Sequence, residues 1–282
     1  MSVAVVTDST ADLPPDVVTA RGITVVPMVV TINGVEGLEG LEVSPAEVAR
    51  ALSGRRDTVT TSRPAPAAFA QVYRDLVAGG ADGIVSVHIS AQLSGTAESA
   101  RLAANEMGEP VFVVDSRSTG MGLGFAVIAA AAAAAEGADP TAVRDAALAA
   151  AARTDALFYV DTLEFLRRGG RIGAAAALLG SALSVKPILQ VVDGAIVVRE
   201  KVRTASRALA RLVDIAVETA GGSDVDIAVH HLASAPRATA LAEALAARFG
   251  DRMRERYLSE IGASVAAHVG PGLVSVVVHR RA

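Results

Sequence analysis

Short apolar runs alternate with helical stretches along the first half of the chain. Val3–Thr7, Ile84–His88 and Val111–Val114 are compact and apolar, as expected of strands buried in a parallel sheet. The stretches between them begin at Pro or at a Ser/Thr-containing turn and predict helices at Pro45–Leu52, Pro66–Val77 and Ala97–Glu106. This alternation predicts a parallel sheet with helices on both faces, that is, an N-terminal α/β domain.

The pattern changes in the second half. Asp193-Gly194, a favoured two-residue hairpin turn, separates the apolar runs Ile188–Val192 and Ala195–Val198. Further strands are predicted at Ala156–Val160, Val225–His230, Met253–Leu258 and Leu273–Val278, and helices at Thr162–Arg168, Ala205–Thr219 and Pro236–Phe249. A hairpin beside long helices indicates a mixed-sheet α+β domain. With the boundary near Thr154, the chain divides into an α/β domain of residues 1–154 and an α+β domain of residues 155–282.

Composition narrows the classes of function. Hydrophobic residues make up 51% and charged residues 20% of the 282 residues, which is enough apolar material for a large core. The net charge of −4 argues against a nucleic-acid binder, because such proteins usually have a basic balance. The absence of cysteine excludes disulfides, thiol catalysis and thiolate metal sites, and it fits a cytoplasmic protein.

Neither of the two segments that could concern a membrane predicts insertion. The N-terminus, from Met1 to Asp8, lacks a basic start and a cleavable apolar stretch, so we interpret it as a first strand. Ser118–Ala135 is uncharged and approaches the length of a membrane span, but its alanines and glycines make it only weakly apolar. We predict a buried helix there and no stable membrane insertion.

Hydroxyl-rich clusters follow the predicted strands of the first half. They are Thr7–Thr10, Ser90–Thr96, Asp115–Thr119 and, before the helix that starts near Pro66, Thr58–Ser62. Because the carboxyl ends of parallel strands share one edge of a sheet, four such loops could converge on one carboxylate or phosphate. Ser and Thr are also good helix N-caps, which accounts for any one loop taken alone. Ser94-Gly95-Thr96 is hardest to explain by capping, since its glycine allows close backbone approach to a ligand.

Several signatures of enzymes and metal sites are absent from the sequence. There is no P-loop, no nucleophile elbow and no dinucleotide fingerprint, because the glycines after Thr119 have the wrong spacing. His230 and His231 are adjacent on a predicted strand and point to opposite faces, which disfavours a metal. His268 lies in the stretch from His268 to Gly272, where a Gly-Pro-Gly turn would fix its position, and structural and functional roles for it stay equally open.

Taken in order, these motifs resemble the DegV family. The resemblance rests on Thr7–Leu13, Thr61–Pro64, Ile89–Thr96, Asp115-Ser116 with the glycines after it, Asp161–Ile172, Lys186–Ile188 and His268–Gly272. Each motif alone is weak, but the ordered series spans nearly the whole chain and is specific.

The resemblance implies a two-domain carrier, not an enzyme, that needs no cofactor and no metal. One long-chain fatty acid would lie in an apolar tunnel, and a separate ATP-dependent fatty-acid kinase would phosphorylate its carboxylate while the carrier holds it. The residues implied at the carboxylate are Thr61, Ser62, Ser94, Gly95, Ser116, Arg171 and His268. The chain departs from the common pattern at Arg63, which could add charge near the head group, and at Ala97, which could widen the pocket.

Two other classes of function remain as alternatives. A serine hydrolase acting on acyl esters would use Ser94 as nucleophile, His268 as base and Asp115 as its orienting carboxylate. A kinase-like subunit would bind phosphorylated small molecules.

Two basic clusters oppose the acidic mean charge, and we interpret them as a docking rim for the kinase or as solvated helix ends. They are Arg167, Arg168 and Arg171, and then Arg199, Lys201, Arg203 and Arg207.

Overall fold

A computed structural model describes residues 2–54, 57–178 and 186–281. In the first half the strands are β1 (Val3–Asp8), β2 (Thr24–Val26), β3 (Val29–Ile32), β4 (Val35–Leu38), β5 (Val59–Ser62), β6 (Gly83–His88) and β7 (Val111–Asp115). The helices of this half are α1 (Pro15–Ala20), α2 (Pro45–Ser53), α3 (Pro66–Ala78), α4 (Thr96–Ala104), α5 (Met121–Ala135) and α6 (Pro140–Ala152).

The second half contributes β8 (Thr154–Tyr159), β9 (Lys186–Val192), β10 (Ala195–Val202), β11 (Val225–His231), β12 (Met253–Glu260) and β13 (Val274–Arg280). Its helices are α7 (Glu164–Arg168), α8 (Ala205–Ala220), α9 (Ala235–Phe249) and α10 (Ala263–Val269).

The first sheet is parallel, in the order β2-β1-β6-β7. All six residues of β6 are buried because helices cover both faces of the sheet. Phe69 and Tyr73 of α3 pack on one face, and Leu123 and Val127 of α5 pack on the other. The prediction of an N-terminal parallel-sheet α/β arrangement is therefore confirmed.

A second, antiparallel sheet in the first half was not predicted. It has three strands in the order β4-β3-β5, and β5 contains the hydroxyl cluster that we expected in a loop. That expectation was wrong, because Thr60 and Thr61 pair with Thr31 and Val30 across a sequence gap that the local pattern does not reveal. Val30 packs in one core cluster with residues of α7 and α10, so this sheet contacts the second half of the chain.

The sheet of the second half is mixed, as predicted, in the order β10-β9-β8-β13-β11-β12. Only β11 and β12 pair in parallel among these six strands, and β9 and β10 form the expected hairpin at Asp193-Gly194. Leu157 and Val276 face α8 and α9, whereas Ala156 and Val277 face α5 of the first half. One face of this sheet therefore looks toward the first half. The division into domains at residue 154 stays a prediction.

Two further expectations concerned helices. Ser118–Ala135 contains the buried α5, and no helix within the described ranges is long and apolar enough to cross a membrane. His268, predicted to lie in a tight turn, lies in the last turn of α10 instead. The alanines of this segment favour a helix, which ends where Gly270 adopts a φ of 75°.

Candidate functional site

A cavity of about 850 Å³, part of it open to solvent, lies between the loops of the first half and the sheet of the second. Its wall is mainly apolar, with Leu93 from the loop after β6 and Phe158, Val191 and Val277 from the sheet. The cavity can therefore bury an extended apolar ligand.

Four of the seven predicted site residues line this cavity. They are Thr61, Ser94, Arg171 and His268. Thr61 Oγ1 lies 2.8 Å from His268 Nε2. Arg171 Nε donates to the carbonyl of Leu93, next to Ser94, at 2.9 Å. We call these four residues the head-group cluster.

His268 is uncharged at neutral pH. Its burial and the neighbouring Arg171 lower its pKa to about 4. His268 Nδ1 is buried against Gly169, so closely that a Cβ added to this glycine would lie 2.1 Å from the nitrogen. Nδ1 has no hydrogen-bond partner within the described part of the chain. An unpaired acceptor is tolerated better in a protein interior than an unpaired N–H, so we place the proton on Nε2. His268 then donates to Thr61, whose own hydroxyl proton is available to a ligand.

Arg171 brings a positive charge to the cavity. It donates from Nη1 to the carbonyl of Gly169 at 2.5 Å and from Nε to Leu93, so the guanidinium is held by backbone oxygens. Of the Asp and Glu residues that the structure describes, none forms an ion pair with it. A half-buried guanidinium without a counter-charge favours an anionic ligand at this place.

Ser94 is positioned by a residue whose role the sequence reasoning missed. Its hydroxyl lies 2.8 Å from that of Thr96, which is fully buried and lies 3.5 Å from the sulfur of Met28, a weak acceptor. When Thr96 donates to Ser94, the Ser94 proton is left for a ligand. Thr96 thus supplies a second hydroxyl beside Ser94, which fixes the orientation of the Ser94 side chain.

Three predicted ligand residues do not line the cavity. Ser62 follows Thr61 on β5, so its side chain points to the opposite face and is exposed. Ser116 is buried and bonds to the backbone of Ser118 within its own loop. Gly95 packs against the side chain of Arg63. Strand alternation thus directs Ser62 away from the cavity and local loop bonds hold Ser116, and a role for these three residues at the carboxylate stays a prediction.

The two positions noted as departures from the family pattern also lie off the cavity wall. Arg63 is exposed and donates to the carbonyl of Gly95 at 3.5 Å. Ala97 is fully buried in α4 and is not a lining residue. The expectation that Ala97 widens the pocket stays a prediction.

Each of the four hydroxyl clusters contributes one hydroxyl-bearing residue to the cavity wall. These residues are Thr10, Thr61, Ser94 and Thr119. The ends of β1 and β6 are held together by Asp8, which is fully buried and accepts from the ring of His88 at 2.9 Å and from the backbone of Ile89 at 3.1 Å. We did not predict this buried pair, although Asp8 belongs to the N-terminal motif.

The hydrogen bonds required of a serine hydrolase are not formed. Ser94 bonds to Thr96, and His268 bonds to Thr61 instead of Ser94. Asp115 accepts from the backbone of Arg117 at 2.8 Å, within its own loop.

Two buried carboxyl groups join the first half to the start of α10. Asp12 accepts from the backbone of Gly262 at 2.6 Å, and Glu39 accepts from the backbone of Ser264 at 2.7 Å. Burial, and for Asp12 also the neighbouring Glu39, raises the pKa of both groups. Because α10 carries His268 at its other end, this contact helps to position the head-group cluster.

Asp12→Asn should reduce the pH dependence of stability. Folding raises the pKa of this carboxyl above its ordinary value of 3.8. The contribution to the free energy of unfolding is therefore fully present below pH 3.8 and is lost as the pH rises through the raised pKa. Asparagine keeps an acceptor for Gly262 but no charge. Between pH 4 and pH 8 the free energy of unfolding of the wild type should therefore fall by on the order of 1 kcal/mol more than that of the variant.

Urea unfolding at a series of pH values measures this difference. Asp16→Asn, at an exposed position of α1, should follow the wild-type curve. Parallel curves for the wild type and Asp12→Asn would show that Asp12 does not titrate in this range.

Comparisons with known proteins agree with this architecture. The sequence matches the family model described as "Uncharacterised protein, DegV family" over residues 2–281. It is 53% identical over 279 residues to a DegV domain-containing protein of Streptomyces coelicolor, with 99% of each chain covered. In structure it is similar to a fatty-acid-binding DegV family protein from Thermus thermophilus, with a TM-score of 0.94, 34% identity and full coverage of both chains. It is also similar to DegV from Bacillus subtilis, described as a fatty acid binding protein, with a TM-score of 0.91, 30% identity and full coverage of both chains.

Fold and cavity define the class: an α/β protein in which a parallel and a mixed sheet lie on either side of an apolar cavity. The chain belongs to the DegV family. The resemblance that we drew from the ordered motifs is thereby confirmed.

Proposed function

We propose that the protein binds one long-chain fatty acid in this cavity, with the carboxylate at the head-group cluster. The observation that carries the proposal is the combination of an apolar wall with a guanidinium that has no counter-charge among the described residues. Thr61 and Ser94 add hydroxyl donors beside that charge. The fatty-acid binding described for the similar proteins of Thermus thermophilus and Bacillus subtilis supports it.

The energetics of such a complex are favourable. Burial of a sixteen-carbon chain contributes on the order of 10 kcal/mol, at about 0.8 kcal/mol per methylene. The loss of translational and rotational freedom offsets much of this. Charge-assisted hydrogen bonds of about 1.5–3 kcal/mol each then hold the carboxylate in register. The hydrocarbon chain of the ligand therefore supplies most of the affinity, and the head-group cluster orients the carboxylate.

Ser94→Ala should weaken fatty-acid binding by about 1–3 kcal/mol, because one carboxylate oxygen loses a hydrogen-bond donor in a buried site. Stability should barely change, since Ser94 lies outside a regular element and Thr96 retains its contact with Met28. Titration of the delipidated protein with hexadecanoic acid measures the affinity. Ser62→Ala is the matched control, at an exposed hydroxyl on β5.

An unfolded Ser94→Ala variant whose residual folded fraction binds normally would make the hydroxyl a structural group and remove it from the site.

We further propose that the protein is a carrier in the cytoplasm and not itself an enzyme. A separate kinase would transfer the γ-phosphoryl group of ATP to the bound carboxylate, giving ADP and an acyl phosphate that the carrier retains. The kinase must reach the carboxylate while carrying negatively charged ATP, so a basic rim would help to align it. Arg167 and Arg168 share Glu164 as their partner, which leaves one net positive charge on α7.

Arg168→Glu and Arg203→Glu should leave lipid occupancy intact and lower the rate of acyl-phosphate formation with a cognate kinase. The loss should lie in apparent affinity, about 3–10-fold for each reversed charge, and raised salt should produce the same effect in the wild type. Phosphorylation kinetics with lipid-loaded protein measure it. Arg256→Glu is the control, on β12 at the edge of the sheet opposite β10.

If both substitutions leave the kinetics unchanged while lipid stays bound, this surface is not the docking site.

A further inference from the structure

A second group of polar side chains lines the cavity, on elements that do not carry the head-group cluster. Ser275 is on β13 and Thr119 is in the loop before α5, and both hydroxyls are buried without a hydrogen-bond partner within the described residues. Ser275 is only 9% exposed. Buried hydroxyls are normally hydrogen-bonded, so two unpaired ones on an apolar wall indicate a partner that comes from the ligand or from water.

Both residues lie on the part of the wall around His230, Ser275 by strand register and Thr119 through its neighbour Gly120. Ser275 lies directly opposite His230 on β11 and opposite Phe158 on β8, so these three side chains share the face that borders the cavity. Thr119 reaches the same part of the wall because Gly120 packs over His230, with its ideal Cβ position 3.5 Å from Nε2.

The other polar groups on the wall already have neighbours. His230 accepts from the backbone of Met121 at 3.2 Å and contacts Ser259 at 3.0 Å, and burial lowers its pKa to about 4. Ser264 Oγ also lacks a hydrogen-bond partner among the described residues, but it lies beside the carboxylate of Glu39. Outside the head-group cluster, Thr119 and Ser275 are therefore two hydroxyls of this wall whose hydrogen-bonding capacity is left for a ligand.

Ser275 is the polar exception in an apolar stretch of β13. The remaining residues of β13 from Val274 to Val278 are all valine, and all five are buried. Valine or alanine at position 275 would complete an apolar wall suited to a plain hydrocarbon chain. A plain chain leaves both hydroxyls unpaired, or it must leave room for a water molecule beside it.

We propose that Thr119 and Ser275 form a polar subsite that hydrogen-bonds an oxygen carried on the hydrocarbon chain of the ligand. This inference rests on the proposed binding of a fatty acid and specifies its class: a long-chain acid with a hydroxyl group along the chain. A hydroxyl both donates and accepts, so it can pair with the two side chains at once.

The test compares octadecanoic acid with a set of hydroxyoctadecanoic acids that carry the hydroxyl at successive positions. Delipidated wild type, Thr119→Val, Ser275→Ala and the double variant are titrated with each acid. In the wild type at least one positional isomer should bind about tenfold more tightly than the plain acid, the effect of one buried hydrogen-bonded group. In the double variant this preference should disappear, and the plain acid should bind at least as well as it does to the wild type.

Each other outcome has a distinct meaning. Wild type that prefers no isomer overturns the subsite and assigns the two hydroxyls to a bound water, and a preference that survives the double variant overturns it too. Failure of the plain acid and all isomers to bind contradicts the proposed function instead. Thr119→Val, nearly isosteric and in a loop, allows the same decision if Ser275→Ala does not fold.

Discussion

Arg171→Met should reduce the affinity for hexadecanoic acid by about 10–100-fold, because the substitution removes the charge that opposes the carboxylate. Arg171 is the cation of the head-group cluster, and backbone carbonyls at Leu93 and Gly169 already hold its side chain in place. The guanidinium therefore loses little conformational entropy when an anion binds, and most of the interaction is available as affinity.

A comparison of a charged with an uncharged ligand distinguishes carboxylate binding by Arg171 from a structural role of its side chain. Hexadecanol fills the same cavity without an anionic group, so its affinity should fall much less than that of the acid. Arg168→Met is the control at an exposed position nearby and should change neither affinity. Equal losses for acid and alcohol would show that Arg171 supports the fold of the cavity and does not bind the carboxylate.

Ala156→Phe should abolish tight binding of long chains while the protein still folds. Ala156 lies on β8 with its side chain on the cavity wall, close to Val277 and Phe125. A phenyl ring at this position projects into space that the ligand needs. Displacing about four methylenes removes about 3 kcal/mol, which corresponds to roughly a hundredfold loss of affinity.

Chain length is the internal control for this variant. Decanoic acid has fewer methylenes to accommodate, so its smaller affinity should change little. Ala156 also packs toward α5 beside Phe125, so the added ring should destabilise the lipid-free protein by about 1–3 kcal/mol, which thermal unfolding measures, and the affinities are compared on folded protein. Unchanged affinity across all chain lengths would place the ligand elsewhere.

The local sequence pattern was sufficient to predict the elements that are specified by their own apolar or turn residues. β1, β6 and β7 are continuous apolar runs, and their predicted bounds agree with the structure to within about one residue. The β9–β10 hairpin follows from Asp193-Gly194, whose residues both adopt positive φ, at 51° and 86°. In these places backbone chemistry and hydrophobicity point to one structure.

Elements that depend on distant partners could not be predicted in the same way. β4 reads Val-Glu-Gly-Leu and exposes three of its four residues, so neither its composition nor its burial pattern indicates a strand. It exists because β3 pairs with it and with β5. α10 has seven residues, mostly small, and depends on the carboxyl groups of Asp12 and Glu39, which come from far along the chain.

The candidate site shows the same limit. Thr61 and His268 are separated by 207 positions, and no local pattern indicates that they share a hydrogen bond. The resemblance to the family named both of them, but it also named Ser62 and Ser116, which strand alternation and a loop bond turn away from the cavity. Ser275 belongs to no motif, and only the register of β13 shows that it lies on the wall beside His230 and Phe158.

Mass spectrometry of lipid extracted from the protein, purified under native conditions, tests the central claim most directly. The proposal predicts one fatty acid per chain, of roughly 14–18 carbons, the length that supplies enough buried apolar area for retention during purification. Folded protein at full occupancy with a nucleotide in place of lipid, or folded protein that neither retains nor takes up any fatty acid, would contradict it.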